Sequence, residues 1–385
     1  MTERKIHIIG AAFGRMDTDK TFSGVARHLF SEINKRGLLA GFINTKQLHI
    51  TDSLEGMVDI RRALRLKKPG INPLWMWRPE TVEELSSRFE KQLRKYPDSH
   101  AVFQIGTHVL VPHEYTHFCF TDMTIFQAAE AESFFDVGRL GYKRLIKAIT
   151  IQKKIFENAA AIMTTSDWTR DSVIDDYCIS PSKVHVIGNG ASVQMPNAAI
   201  SRKGPDILFV GRDWVRKGGP ILLEAFKMIL ENMPRATLTI IGCRPKIRQH
   251  PNIRVLGLLD KTKAEQRQIL EQCFLRSRVL CVPSFFEPFG ICFIEAQVYG
   301  LPVVTFEGEG RSNAVLDQIS GFLLKERTPA ALSAVLLELL SNPQKAADMG
   351  KTGQRYVMDN LTWDKVADKA IEIISSYAKE KVESY

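Results

Sequence analysis

The feature that most constrains this chain is an alternation that starts at the N-terminus, pauses once and starts again. Short apolar runs of strand length are each followed by a segment whose apolar residues recur at helical spacing. Strands that alternate with helices pair in parallel through crossovers, so the pattern predicts parallel sheets with helices on both faces and argues against sandwiches and bundles. In the first half the runs fall at 6–9, 39–43, 101–105, 118–121, 160–164 and 184–187, with helical pattern over 24–34, 81–96, 125–158 and 168–177. Residues 191–205 lack periodicity and end in Gly204-Pro205, which marks a linker. Beyond it, strand-length runs return at 207–210, 236–241, 253–256, 279–282 and 302–305. From Pro329 onward the pattern is helical, and Trp363, Val366, Ala367, Ala370, Ile371 and Ile374 share one face that needs an apolar surface to cover. Two doubly wound α/β domains joined by one linker are the simplest architecture, and their ligands belong beyond the carboxyl ends of the strands.

Composition removes several classes. The 385 residues, at roughly 150 per domain, suit two or three domains. With 44% hydrophobic and 25% charged residues the chain is an ordinary globular protein. No apolar run approaches the roughly 18 residues of a membrane span. The first ten residues read as a buried strand rather than a signal peptide, so the expected location is the cytoplasm. The net charge of +9 is spread over both halves and suits nucleic acid, anionic lipid or a phosphorylated small molecule equally. Six cysteines show no C-x-x-C pair and read as buried thiols. His108, His113 and His117, in a loop with Pro112, read as surface or capping residues, and no metal site is predicted.

Two loops carry chemistry. After the run at 279–282 comes Pro283-Ser284-Phe285-Phe286-Glu287-Pro288-Phe289-Gly290, and a helix is expected from about Ile291. Its first N–H groups can hold an anion, and Glu295, about one turn in, can return toward the same place. Taken alone, two such glutamates more often cap or solvate a helix. After the run at 207–210 comes Gly211-Arg212-Asp213-Trp214-Val215-Arg216-Lys217-Gly218-Gly219-Pro220. Arg212 as a fork and Lys217 as a point charge can converge on phosphate oxygens, whereas taken alone they would be surface cations. This is no Walker loop, because Gly-x4-Gly-Lys-Ser/Thr is absent.

Together these residues resemble the family 4 retaining glycosyltransferases of the GT-B fold, whose signature is glutamate, seven residues, glutamate. Glu287 and Glu295 match that spacing, and the likeness continues through Gly300-Leu301-Pro302-Val303-Val304, Gly321-Phe322-Leu323, Gly211-Arg212, Lys217-Gly218, Ile241-Gly242 and Val255-Leu256-Gly257. It is close over roughly 160–377 and loose before that. The resemblance implies two Rossmann-like domains facing a central crevice: an acceptor-binding domain over 1–195, a nucleotide-sugar domain over 196–361, and a C-terminal helix over 362–385 packing back on the first domain. It implies a nucleotide-diphosphate sugar as donor, a hydroxyl of a glycan, glycolipid or small molecule as acceptor, retention of anomeric configuration, and neither cofactor nor metal ion. Arg212 and Lys217 would neutralise the leaving diphosphate. Glu287 would bond sugar hydroxyls near the anomeric carbon, and Glu295 the ribose hydroxyls. The backbone of Phe289, Gly290 and Ile291 would meet sugar or phosphate. Gly242 and Arg244, with Gly257, Leu258 and Leu259, would bracket the base, and Gly24 would face the diphosphate.

Two departures from the family are visible. Thr121 stands where many relatives carry a sugar-contacting histidine, although Asp122 keeps the neighbouring acceptor-side position. After the run at 302–305, relatives often have a glycine pair and then a glutamate, where this chain has Gly308-Glu309-Gly310-Arg311-Ser312-Asn313. Competing readings are a sugar-nucleotide binder without turnover, a related enzyme with another phosphate-linked donor, and nucleic-acid binding, against which stands the lack of a recognition motif.

Much of the remaining basic charge is concentrated. Residues 61–78 hold Arg61, Arg62, Arg65, Lys67, Lys68 and Arg78 beside Trp75 and Trp77; residues 138–156 hold Arg139, Lys143, Arg144, Lys147, Lys153 and Lys154; neither stretch holds an acid. Cations with tryptophan are the ingredients of interfacial binding, so contact with an anionic membrane at its inner face is a further expectation, beside the simpler reading of solvated helix faces.

Overall fold

The structure is a computed structural model that describes residues 6–18, 21–48, 77–99, 101–131, 142–193, 195–196 and 202–383. It divides into two compact units, residues 1–188 with 363–385, and residues 189–362.

The first unit winds β1 (Ile8–Ala12), α1 (Val25–Lys35), β2 (Leu39–Asn44), α2 (Pro79–Leu93), β3 (Ala101–Ile105), β4 (Thr116–Thr121), α3 (Ile125–Glu130), α4 (Tyr142–Asn158), β5 (Ala161–Thr164), α5 (Asp167–Asp175) and β6 (Val184–Val186). Its sheet runs β2-β1-β3-β4-β5-β6, every pair parallel. Because successive side chains of a strand point to opposite faces, β1 feeds two cores. Ile8 and Ala12 pack with Leu29, Phe30 and Phe103 on one face, and Ile9 and Ala11 with Leu85, Phe89 and Leu93 of α2 on the other.

The second unit winds β7 (Asp206–Val210), α6 (Gly219–Asn232), β8 (Thr237–Ile241), β9 (Ile253–Gly257), α7 (Ala264–Arg276), β10 (Val279–Cys281), α8 (Ile291–Val298), β11 (Val303–Phe306), β12 (Gly321–Leu324), α9 (Pro329–Ser341) and α10 (Pro343–Asn360). Its sheet is also all parallel, in the order β12-β11-β10-β7-β8-β9. The chain then returns to the first unit as α11 (Trp363–Glu383). There Val366, Ala367, Ala370 and Ile374 are buried in the core that α1 covers. His28 stacks on Trp363 with ring centroids 5.5 Å apart, and Arg36 Nη2 donates to Asp368 Oδ1 at 2.7 Å. Full burial of a side chain such as Ile374 contributes about 1.5–3 kcal/mol, which answers what the apolar face of this helix covers.

Three expectations are corrected. The helical pattern over 125–158 is two helices. Ile125 N–H donates to Gln152 Oε1 at 2.7 Å, a contact that a single straight helix, rising about 1.5 Å per residue, could not make over that separation. Residues 132–141 lie outside the described residues. β12 was not anticipated, because it is a short edge strand whose residues after Gly321 are only half-buried. The division between units falls after Gly188 because Ala191 and Val193 already pack in the second core, and Ala191 N–H donates to Leu361 O at 2.9 Å.

Candidate functional site

In the second sheet the chain runs outward from β7 through β8 to β9, then crosses to β10 on the other side and runs outward again. The loops after β7 and β10 therefore diverge from neighbouring strands and leave a concave place at their carboxyl ends, where open parallel sheets bind ligands. The two loops are fastened together: Phe285 N–H donates to Arg216 O at 2.9 Å. Gly218 has φ 75°, and a Cβ there would lie 1.9 Å from Pro283 O, so only glycine allows this approach.

The fastening brings Lys217 onto Glu287. The Lys217 ammonium pairs with Glu287 Oε2, and both side chains are nearly buried. Arg216 Nη1 donates to Phe286 O at 2.7 Å and stands 3.9 Å from the same carboxylate oxygen. Burial pulls the Lys217 ammonium down to about 8, and the nearby Arg216 and Arg311 cations add to the fall. Arg212 is exposed and, among the described residues, makes no hydrogen bond or ion pair. The place thus presents a desolvated cation paired with a carboxylate, a second, mostly buried cation, Arg216, beside that carboxylate, and an exposed cation, Arg212, in the same loop.

Glu295, on α8, is 2% exposed and pairs with the Lys261 ammonium. Gly290, with φ 98°, caps α8 without a side-chain hydrogen bond; Phe293 N–H donates to Gly290 O at 2.9 Å, which leaves the N–H groups of Ile291 and Cys292 as the ones a ligand could meet. The Phe289 side chain is buried in the core, so only its backbone can meet a ligand, while Ile291 is half-buried. The ends of β7, β8 and β9 are strung together: Gly211 N–H donates to Ile241 O at 2.9 Å and Gly242 N–H to Gly257 O at 2.8 Å. The exposed Arg244 lies over Gly257, Leu258 is exposed and Leu259 is half-buried. A separate open cavity of about 620 Å³ lies at the opposite, amino ends of these strands, against Asp206, Thr237 and Arg276.

Gly24, Thr121 and Asp122 belong to the first unit. Gly24 caps α1 with φ 91°. Thr121 is buried, and its hydroxyl donates to Met123 O at 2.7 Å. The Asp122 carboxyl, at the carboxyl end of β4, is held above the usual carboxylate range by burial. His108 and His117 are buried and His113 is exposed. Among the described residues no three His, Cys, Asp or Glu side chains gather as a metal site would require. Residues 61–76 lie outside the described residues.

A sequence profile described as Glycosyl transferases group 1 matches residues 193–356, the segment that holds Lys217, Glu287 and Glu295. The second unit is a group 1 glycosyl transferase domain. The chain is 30% identical over 210 residues to the D-inositol 3-phosphate glycosyltransferase of Segniliparus rotundus, covering 50% of this chain and 46% of that one. It spans about half the length of the curated relatives it matches. In fold it resembles the sucrose-phosphate synthase of Thermosynechococcus elongatus, with a TM-score of 0.68, 16% identity, and 97% and 100% of the two chains covered. It also resembles Anabaena HepE in complex with UDP and glucose, with a TM-score of 0.60, 14% identity, and 96% and 100% covered. Both units are therefore parts of a GT-B fold, as the resemblance implies.

Sequence reasoning gave no role to Arg216 and Lys261 of this group 1 glycosyl transferase domain, and it marked Glu309 and Arg311 only as a departure from the family pattern. Arg216 stood in the loop already singled out. Lys261 reaches Glu295 across 34 residues and Glu309 reaches Glu287 across 22, separations that no local spacing rule detects.

Proposed function

We propose that this chain is a retaining glycosyltransferase that moves a sugar from a nucleotide-diphosphate sugar to a hydroxyl of a glycan, glycolipid or small-molecule acceptor. The observation that carries the reading is the Lys217–Glu287 pair at the β7/β10 crossing, inside the group 1 glycosyl transferase domain. The donor's diphosphate would take Lys217 from Glu287 and draw in Arg212. As the bond from the anomeric carbon to the phosphate oxygen breaks, its electron pair goes to that oxygen, and the two cations stabilise the charge that develops. Glu287, released from Lys217, would face the sugar hydroxyls and the positive charge on the anomeric carbon. In the same-face course the acceptor oxygen then bonds that carbon and its proton passes to the leaving phosphate. The scheme gives Lys217 and Arg212 the neutralising part that a divalent ion plays elsewhere, and it calls on no cofactor. Glu295 would hold the ribose, the exposed Arg244 and Leu258 the base, and Asp122 the acceptor side.

HepE was solved with UDP and glucose, so UDP heads the probes. A thermal-shift panel of UDP, GDP and ADP with their sugars tests the reading. A nucleotide present at 100 times its Kd should add about 2.7 kcal/mol of stability. A shift with none of them would end the reading; a shift without transfer to any acceptor would leave a sugar-nucleotide binder.

A second reading, membrane contact, has an observation of its own. On α4 the exposed Tyr142 and Ile146 stand among the exposed Lys143, Arg144, Lys147 and Lys154. We propose that this face meets anionic lipid. Among the described residues no helix is long and apolar enough to cross a membrane. Co-sedimentation should be stronger with vesicles containing phosphatidylserine than with phosphatidylcholine alone and should fall with salt; indifference to both would remove the idea.

A further inference from the structure

The loop after β11 departs from the family pattern, carrying Gly308-Glu309-Gly310-Arg311 where relatives often have a glycine pair, and the proposed reaction makes no use of it. Arg311 is the largest side chain that is fully enclosed in the described structure. A guanidinium removed from water is costly unless its hydrogen-bonding groups are met, so its partners show what it is retained for. Its Nη1 donates to Ser284 O at 2.8 Å, in the loop after β10, and to Phe306 O at 2.6 Å, at the end of β11. Its Nη2 pairs with the carboxylate of Glu309. The same carboxylate oxygen, Oε2, accepts the backbone N–H of Glu287 at 3.2 Å. One buried cation thus joins two loops and ends, through one carboxylate, on the backbone of the residue that the proposed reaction depends on.

The backbone supports this reading. Glu309 has φ 40°, in the left-handed region that favours glycine and strains other residues. Its carboxylate meets both Arg311 and the Glu287 N–H from this conformation. Outside the loop, Arg327 donates to Glu307 O at 3.1 Å and to Phe285 O at 3.4 Å, a second tie between the same two loops.

We infer that the Arg311–Glu309 pair is a positioning device for Glu287, clamping the loop after β10 so that the Glu287 carboxylate stands at a fixed place beside Lys217. The inference rests on the glycosyltransferase reading for its consequence, but not for its geometry. Neither clamp residue pairs with the Glu287 carboxylate; Glu309, whose carboxylate accepts the Glu287 backbone N–H, acts through Glu287, and the test therefore changes Glu309 rather than Arg311, whose charge also bears on Lys217. Misplacement of a catalytic group by about 1 Å costs on the order of 100-fold in rate, so loosening the clamp should slow transfer and leave nucleotide binding, which rests on Lys217 and Arg212, in place.

The test compares Glu309→Ala and Glu309→Gln with the wild type in the full chain, by three readouts: amide hydrogen exchange over 284–290, affinity for UDP, GDP and ADP, and sugar release from UDP-glucose, GDP-mannose and ADP-glucose. Glu309→Ala should speed exchange over 284–290 with little change elsewhere, lower the turnover number 10- to 100-fold, and keep nucleotide affinity within about threefold. Glu309→Gln retains an acceptor for the Glu287 N–H and for Arg311 and should restore both exchange and turnover to within a few-fold of wild type. Unchanged exchange and turnover in Glu309→Ala would overturn the clamp, and so would a Glu309→Gln variant as slow as Glu309→Ala, which would give the carboxylate charge a part in the chemistry. A wild type that binds none of the nucleotides would overturn the functional reading and the clamp's consequence with it. Wild-type binding and turnover with an indifferent Glu309→Ala would overturn the clamp alone.

Discussion

In the first sheet the strand order reverses between β1 and β3, and in the second between β7 and β10. The two places are topologically alike, yet the side chains around them differ in kind. In the first unit Phe13, after β1, stacks on His108, after β3, with centroids 5.3 Å apart, and the Trp77 ring lies 5.4 Å from the same imidazole. Burial pulls His108 down to about 4, so its ring is neutral at ordinary pH. In the second unit the same crossing carries Lys217, Arg216 and Glu287, with the Arg311–Glu309 pair bonded to the Glu287 N–H. The winding makes the place, and the loops decide whether the side chain buried there is a neutral ring, as His108 is, or a charged pair, as Lys217 and Glu287 are. On this account the second unit's crossing handles phosphate, and the first offers shape.

The sharpest way to break that contrast is to remove the carboxylate. Glu287→Gln should lower transfer by at least about 100-fold while nucleoside diphosphate affinity stays within threefold, because the lost interaction belongs to the transition state. Near-normal transfer would take Glu287 out of the chemistry. In the first unit the expected damage is to stability instead. Trp363→Ala removes the 7%-exposed ring that stacks on His28 and should cost about 3 kcal/mol in denaturant unfolding without altering nucleotide affinity. A weakened nucleotide site in that variant would blur the division of labour.

A smaller effect follows from pH. The Lys217 ammonium lies below its ordinary value, at about 8. Diphosphate affinity that needs this charge is full below about pH 8 and falls as the pH rises through it, by up to about tenfold per unit. Calorimetric titration between pH 6.5 and 9.5 should show the fall in the wild type and not in Lys217→Ala. The smallest signal expected is none at all: the His108 ring should keep constant NMR shifts between pH 5.5 and 8, because burial holds it neutral. Titration in that window would put a buried charge at the first crossing, where the charged Lys46, Arg15 and Asp17 are exposed, and would erase the contrast.

Most of the winding could be read from the sequence because central parallel strands are buried on both faces and write continuous apolar runs, as β3 and β5 do. β12, an edge strand with one buried residue, writes almost nothing. The pattern over 125–158 reads as helical although it belongs to two helices, α3 and α4, which Gln152 ties by accepting from Ile125 N–H, with the Tyr177 hydroxyl on the same oxygen. The site divides in the same way. Lys217 and Glu287 were legible because each lies in a loop directly after a strand, where such folds gather their chemistry. Lys261, Glu309 and Arg311 were not, because each matters only through a partner that the fold brings near; the segment with Glu309 and Arg311 was visible only as a departure from the family pattern, and nothing in it signals that Arg311 is fully enclosed.

The central claim is that the charges at the β7/β10 crossing recognise a diphosphate. Calorimetric Kd values of the wild type and Lys217→Ala for UDP, GDP and ADP, each set against its own nucleoside, test it directly. The account predicts that the nucleotide bound by the wild type is preferred over its nucleoside by at least about 100-fold, or about 2.7 kcal/mol, and that Lys217→Ala loses at least tenfold of that preference while nucleoside affinity is unchanged. An equal preference in the two proteins would contradict it.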